Sequence, residues 1–76
     1  MPTIIVLGNV KIQIFGDDHA PPHFHIITPD GEALVRMADF RVLAGKVRGR
    51  DARRALQWAS QHREDLIDAW RRYNSR

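Results

Sequence analysis

The sequence predicts an α+β domain in which a mostly antiparallel sheet of four or five strands is covered on one face by one long C-terminal helix. Two observations predict this fold. Over residues 1–44 the apolar residues come in short, strand-like runs separated by turn residues, whereas over 51–73 they recur with helical spacing. At 76 residues, the chain is expected to form a single domain, 1–76, in which the strands precede the helix.

The first two strands are predicted to form a hairpin. A continuous apolar run over 4–7 is followed by the turn residues Gly8-Asn9 and then by an alternating run over 10–15. The remaining strands are bounded by turn residues and are predicted over 23–27, 32–37 and, as a short last strand, 40–43.

Alternation along these strands predicts which residues face the helix. The inner face is expected to consist of apolar residues, namely Val10, Ile12, Ile14, Phe24, Ile26, Ala33, Val35 and Met37. His23 and His25 flank Phe24 and would therefore point away from the core. We expect both rings to be accessible on the polar face of the sheet.

The helix is predicted to start near Asp51, a plausible N-cap. Its core-facing stripe contains Ala52, Ala55, Leu56, Ala59, Leu66, Trp70 and Tyr73. His62 and Arg63 interrupt this stripe, and a kink or split would fall there. An arginine at this position must reach solvent or meet a carboxylate, for which Asp39 is the expected partner.

Charge divides the chain unequally. Residues 1–40 contain two Lys or Arg against five Asp or Glu, whereas 41–76 contain ten against four. Arg53 and Arg54 on the helix are therefore candidate binding residues for RNA or for an acidic partner protein, with Trp58, off the core stripe, as a possible anchor for a protein.

The chain has no cysteine and no stretch long enough to span a membrane. These features predict a cytoplasmic protein without disulfides or thiolate metal sites. A domain this small is often stabilised by association, so a homodimer or a small partner protein is expected.

The strongest chemical signal is a cluster between the second and third strands. Three of the four histidines and two aspartates lie within the nine residues of 17–25, around a stiff Pro21-Pro22 corner. We expect Asp18, His19, His23 and His25 to share one shallow pocket. Arg36 or Arg41 on the same face could supply a cation for a phosphate.

Three interpretations of this cluster remain open. The imidazoles could perform general acid–base chemistry on RNA without a metal. His19, His23 and His25 could instead hold zinc, nickel or copper, although their spacing matches no defined template. The same residues could also merely decorate a solvated face. No cofactor is predicted.

The motifs along the chain also resemble a known family. They are the opening Met1-Pro2-Thr3-Ile4, the run Asp18-His19-Ala20-Pro21-Pro22-His23-Phe24-His25, the pair Glu32-Ala33, and the helix segment from His62-Arg63-Glu64-Asp65-Leu66 to Trp70. Together they resemble the small prokaryotic family catalogued as domain of unknown function 4160. The resemblance covers nearly the whole chain and implies a stand-alone protein, often encoded beside another small protein in the manner of toxin–antitoxin pairs. It implies no established catalytic residue.

From these features we expect a component of a toxin–antitoxin-like module that acts on RNA or the translation machinery through the histidine cluster. The alternative is a non-enzymatic binding module, either a small His/Asp metal-binding protein or an adaptor for an acidic partner protein.

Overall fold

The structure, a computed structural model, describes residues 3–15 and 21–74. Within them the elements follow the order β1 (Thr3–Leu7), β2 (Val10–Ile14), β3 (His23–Thr28), β4 (Gly31–Arg36), β5 (Val42–Gly45), α1 (Gly49–Gln61) and α2 (Arg63–Asn74). The strands form one sheet in sequence order, and every neighbouring pair is antiparallel. The predicted α+β class and mostly antiparallel sheet are confirmed, and the sheet has five strands where four or five were expected. The last strand was expected over 40–43 and lies instead at Val42–Gly45.

The prediction of one long helix is wrong, because α1 ends at Gln61 and α2 begins at Arg63. The backbone N–H of His62 donates to the carbonyls of Trp58 and Ala59, each at 3.1 Å. The His62 ring adds a second bond from Nδ1 to the Trp58 carbonyl at 2.9 Å and stacks on the indole. These local bonds satisfy carbonyls at the end of α1 and allow the chain to change direction at the predicted interruption.

The predicted inner face of the sheet is confirmed. All eight of its residues are at most 2% exposed. On the helices, the residues buried against them are Ala52, Ala55, Ala59, Leu66 and Trp70. The alanines of α1 are small, so this helix can lie close to the sheet, while the larger residues of α2 fill the space at its end.

Helix α2 lies across the end of the sheet at which β2 and β4 finish and β3 begins. At its first turn, Arg63 donates from Nε to the Met37 carbonyl at 2.9 Å and from Nη2 to the Ala38 carbonyl at 2.8 Å. At its last turn, the Asn74 amide donates to the Phe15 carbonyl at 3.2 Å. These contacts place the middle of α2 beside the start of β3.

The expected ion pair between Arg63 and Asp39 is wrong. Arg63 is exposed and binds backbone carbonyls that no strand partner uses, whereas Asp39 is bound by Arg36. A guanidinium satisfies two carbonyls of a turn as well as it satisfies a carboxylate, because both present oxygen acceptors to its planar fork. No helix in the described part of the chain is long and apolar enough to cross a membrane.

Candidate functional site

His23 opens β3 and is buried, with only 6% of its surface exposed. Its Nδ1 lies 2.8 Å from the Pro21 carbonyl oxygen. Because a carbonyl can only accept, Nδ1 must carry the proton of this bond, which fixes the orientation of the ring. The expectation of an accessible ring is therefore wrong for His23. The reason is α2, whose Trp70 lies with its ring centroid 5.0 Å from that of His23.

His25 lies two residues further along β3, and its ring centroid is 5.3 Å from that of His23. The structure thus brings these two imidazoles together. The His25 side chain is 12% exposed, and its Nδ1 lies 3.5 Å from a carboxylate oxygen of Glu32 on β4. This distance is long for a hydrogen bond.

Aromatic rings enclose the histidine pair on two sides. Phe15, just after β2, meets His25 edge to face with centroids 4.5 Å apart. Trp70 closes the other side against His23. The two imidazoles are thus held between apolar walls, with a carbonyl and a carboxylate as oxygen partners. Such surroundings restrict ring rotation and limit access of water to the pair.

Arg36 is paired with His23 across β3 and β4, but its guanidinium is engaged elsewhere. Its Nε and Nη2 donate to the two oxygens of Asp39 at 2.9 Å and 2.7 Å. The backbone N–H of Arg41 donates to the same carboxylate at 3.1 Å. The Arg41 side chain is exposed and makes no side-chain hydrogen bond in the described part of the chain, although its charge acts on Asp39. Of the two arginines, Arg41 therefore has the less engaged guanidinium.

The Arg36 side chain, followed by the Arg41 backbone N–H, lowers the pKa of Asp39 from 3.8 to about 2. A carboxyl group whose pKa is lower in the folded state stabilises the fold at pH values above 3.8, and this stabilisation is lost as the pH falls through about 2. We expect Asp39→Asn to lower the unfolding free energy near neutral pH and to flatten its acid-induced decline over that window. Urea unfolding at a series of pH values measures both effects.

The matched control is Asp68→Asn, since the Asp68 side chain has no hydrogen-bond or ion-pair partner among residues 3–15 and 21–74. This variant should keep the acid-induced decline of the wild type. A decline in Asp39→Asn as steep as that of the wild type would contradict the assignment of the stabilisation to Asp39.

Two of the predicted site residues, Asp18 and His19, lie outside the described residues. The convergence of all four predicted residues therefore stays a prediction. Among the residues that are described, no three His, Cys, Asp or Glu side chains are grouped as metal ligands would be. The candidate metal set of His19, His23 and His25 contains one of the undescribed residues, so it is not tested.

The candidate binding residues on the helices are exposed. Arg53 and Arg54 lie on the surface of α1, and Arg71 and Arg72 on that of α2. One continuous helix would have placed Arg53 and Arg71 on one flank. Because the chain changes direction at His62, that placement does not follow.

Trp58 was expected as an anchor for a protein partner. It is half-buried against the core and stacks on His62 with centroids 4.2 Å apart and an angle of 13° between the rings. Contacts within the chain thus already use much of its surface.

Trp70 was not predicted as a neighbour of the histidines, whereas Glu32 was expected on the same polar face of the sheet. The turn after Thr28 sets the register of β3 and β4 and pairs Ile27 with Glu32. That register puts Glu32 diagonally across from His25 on the same face. Trp70 gave no such signal, since it was assigned to the stripe of a single straight helix.

Comparison with curated proteins and with solved structures finds no match to this chain. A family model does match, over residues 9–71. This range includes every described residue of the site, from Phe15 to Trp70. The chain therefore belongs to the family described as domain of unknown function DUF4160.

Proposed function

We propose that this protein is a component of a toxin–antitoxin-like module that acts on RNA, with the histidine cluster performing general acid–base chemistry. The observation that carries the proposal is the pair of imidazoles, whose ring centroids lie 5.3 Å apart. The His23 Nδ1 donates to the Pro21 carbonyl, and the His25 Nδ1 lies 3.5 Å from the Glu32 carboxylate. An imidazole oriented in this way exchanges protons with a substrate through Nε2. A histidine held only by packing would not need a second histidine and a carboxylate beside it.

The chemistry that suits this arrangement is cleavage of a phosphodiester by the neighbouring 2′-hydroxyl. A base removes the 2′-proton, the 2′-oxygen attacks phosphorus, and the bond to the 5′-oxygen breaks as an acid protonates that leaving group. The products are a 2′,3′-cyclic phosphate and a 5′-hydroxyl, so the reaction consumes no water, oxidant or metal. One proton is taken and one is given, which requires two acid–base groups.

Burial divides the roles within the cluster. His25 is the less buried ring of the pair and is proposed as one acid–base group. His23 lies behind it, against Trp70 and the Pro21 carbonyl, and is proposed as a positioning residue. His19 lies two residues before Pro21 and is proposed as the second acid–base group. Arg41 would neutralise the phosphate, because Arg36 is bound to Asp39.

The test is incubation of the protein with RNA oligonucleotides in EDTA, with product ends identified by mass spectrometry. We expect 2′,3′-cyclic phosphate ends, and we expect His25→Gln and His19→Gln each to lower the cleavage rate about a hundredfold. A substrate with 2′-deoxyribose at the cleaved position should not react. His23→Asn should cleave faster than His23→Gln, because the shorter Asn side chain can still donate from its amide to the Pro21 carbonyl.

His62→Asn is the matched control, because its amide can still donate to the Trp58 carbonyl and so preserve the turn between α1 and α2. His62 also donates from Nδ1 to a backbone carbonyl and also contacts a tryptophan ring, but it belongs to a separate ring pair. Its replacement should leave the cleavage rate unchanged. Cleavage that survives in His25→Gln, or that EDTA abolishes, would contradict the mechanism. RNA binding without cleavage would favour the adaptor instead.

A further inference from the structure

The two edges of the sheet are built differently. At one edge, β5 contains a register shift opposite Leu34 and Val35, and it is flanked by the cations Arg41 and Lys46. Bulges and charges of this kind discourage pairing of an edge strand with another chain. At the other edge, β1 pairs with β2 in a regular five-residue register and contains no charged residue. The β1 edge therefore lacks the protection that β5 has.

The side chains of β1 also leave apolar surface uncovered. Val6 is 56% exposed, above the 49% of Val42 and the 40% of Leu43 on β5. Ile5 and Leu7 are half-buried at the margin of the hydrophobic core. A further strand beside β1 would cover these residues and would satisfy the backbone groups along the open edge.

We infer that β1 pairs with β1 of a second copy of this chain, in antiparallel orientation about a two-fold axis at Ile5. In this register Ile5 lies opposite Ile5 of the second copy, and Val6 lies opposite Ile4. Residues opposite each other in an antiparallel pair share a face. The inner faces of both sheets therefore lie on the same side, and the two sheets become one ten-stranded sheet with a joined core.

Symmetry and charge favour a second copy as the occupant. An antiparallel strand edge is complementary to itself under a two-fold rotation, and β1 contributes no like charges to the interface. The helix cation Arg54 lies beside Gly8 at one end of β1, so the two copies of Arg54 fall at opposite ends of the interface. Pairing through β5 would instead place Arg41 opposite Lys46, where like charges repel.

The first test is the mass of the full chain, measured by sedimentation over a wide concentration range. Wild type should be a dimer, and Val6→Lys should raise the dissociation constant at least about tenfold, because the two lysines would lie diagonally across the interface at about 7–8 Å. Val42→Lys is the matched control. It places the same residue on the other edge, at a position 49% exposed, and should leave the dimer unchanged.

The second test uses the absence of cysteine from the chain. Directly opposed residues in an antiparallel pair have Cα atoms about 4.5–5.5 Å apart, within the range of a disulfide. Ile5→Cys should therefore cross-link on mild oxidation, and Val42→Cys at the same concentration should not. Far-UV circular dichroism verifies that each variant is folded.

Three results would overturn the inference. They are a wild-type chain that stays monomeric at every concentration, a dimer that Val42→Lys weakens as much as Val6→Lys does, and cross-linking through Val42→Cys in place of Ile5→Cys. None of these results depends on RNA cleavage, so the proposed function and the dimer can fail independently.

Discussion

Replacing Phe24 with alanine is expected to lower the free energy of unfolding by about 3–5 kcal/mol. Phe24 is fully buried and is among the largest such side chains in the core. Its ring meets Phe40 edge to face with centroids 5.9 Å apart. The truncation removes this contact and leaves a cavity under β3. Because a small domain has roughly 5–15 kcal/mol of stability in total, this truncation removes a large fraction of it.

Urea unfolding followed by circular dichroism, at one fixed protein concentration, measures this loss. Phe24→Leu is the control, because it keeps most of the buried volume and should cost much less. Since Phe24 lies between His23 and His25, a folded Phe24→Leu chain also tests whether packing under β3 positions the two rings. Equal losses in the two variants would show that the cavity does not dominate the effect.

Replacing Gly45 with alanine is expected to cost roughly 2–5 kcal/mol, the sum of backbone strain and overpacking. Gly45 ends β5 with φ at +77°, where L-residues other than glycine are strained. A Cβ there would collide with the carbonyl oxygen of Glu32 and approach the Cα of Ala33 at 3.0 Å. The same carbonyl accepts a hydrogen bond from the Lys46 N–H at 3.0 Å. It cannot move away without loosening the pairing of β4 and β5.

Gly49→Ala separates the two contributions. Gly49 has a similar φ of +70°, but a Cβ there would meet no atom within 4 Å. This variant should therefore cost only the strain, roughly 1–2 kcal/mol. The difference between the free energies of unfolding of the two variants, measured by urea unfolding, gives the cost of the collision in Gly45→Ala. Equal losses at both positions would mean that β4 and β5 accommodate the added methyl group.

Local patterns in the sequence were sufficient to predict the sheet. Alternation along the strands identified the inner face, with Val10, Ile12 and Ile14 on β2 and Phe24 and Ile26 on β3. Turn residues such as Gly8-Asn9 placed the reversals between strands. These features depend on the two-residue period of a strand and on the backbone preferences of individual residues, and both can be read without knowledge of distant parts of the chain.

The break between α1 and α2 was only partly visible in the sequence. His62 and Arg63 interrupt the apolar stripe, but an interrupted stripe can belong to a bent helix as well as to two helices. The bonds from His62 to Trp58 and from Arg63 to the turn after β4 decided the outcome. The second of these joins residues that are far apart in sequence, so no local pattern indicates it.

The sequence by itself determined the family, the antiparallel sheet and the position of the histidine cluster beside a stiff corner. Only the tertiary structure decided that His23 is buried, that Arg36 is bound to Asp39 and that Trp70 encloses the site. The physical reason is the path of α2, which crosses the end of the sheet because the chain turns at His62 and Arg63 binds the carbonyls of Met37 and Ala38. Burial and pairing of a side chain depend on such long-range contacts, which spacing along the chain does not specify.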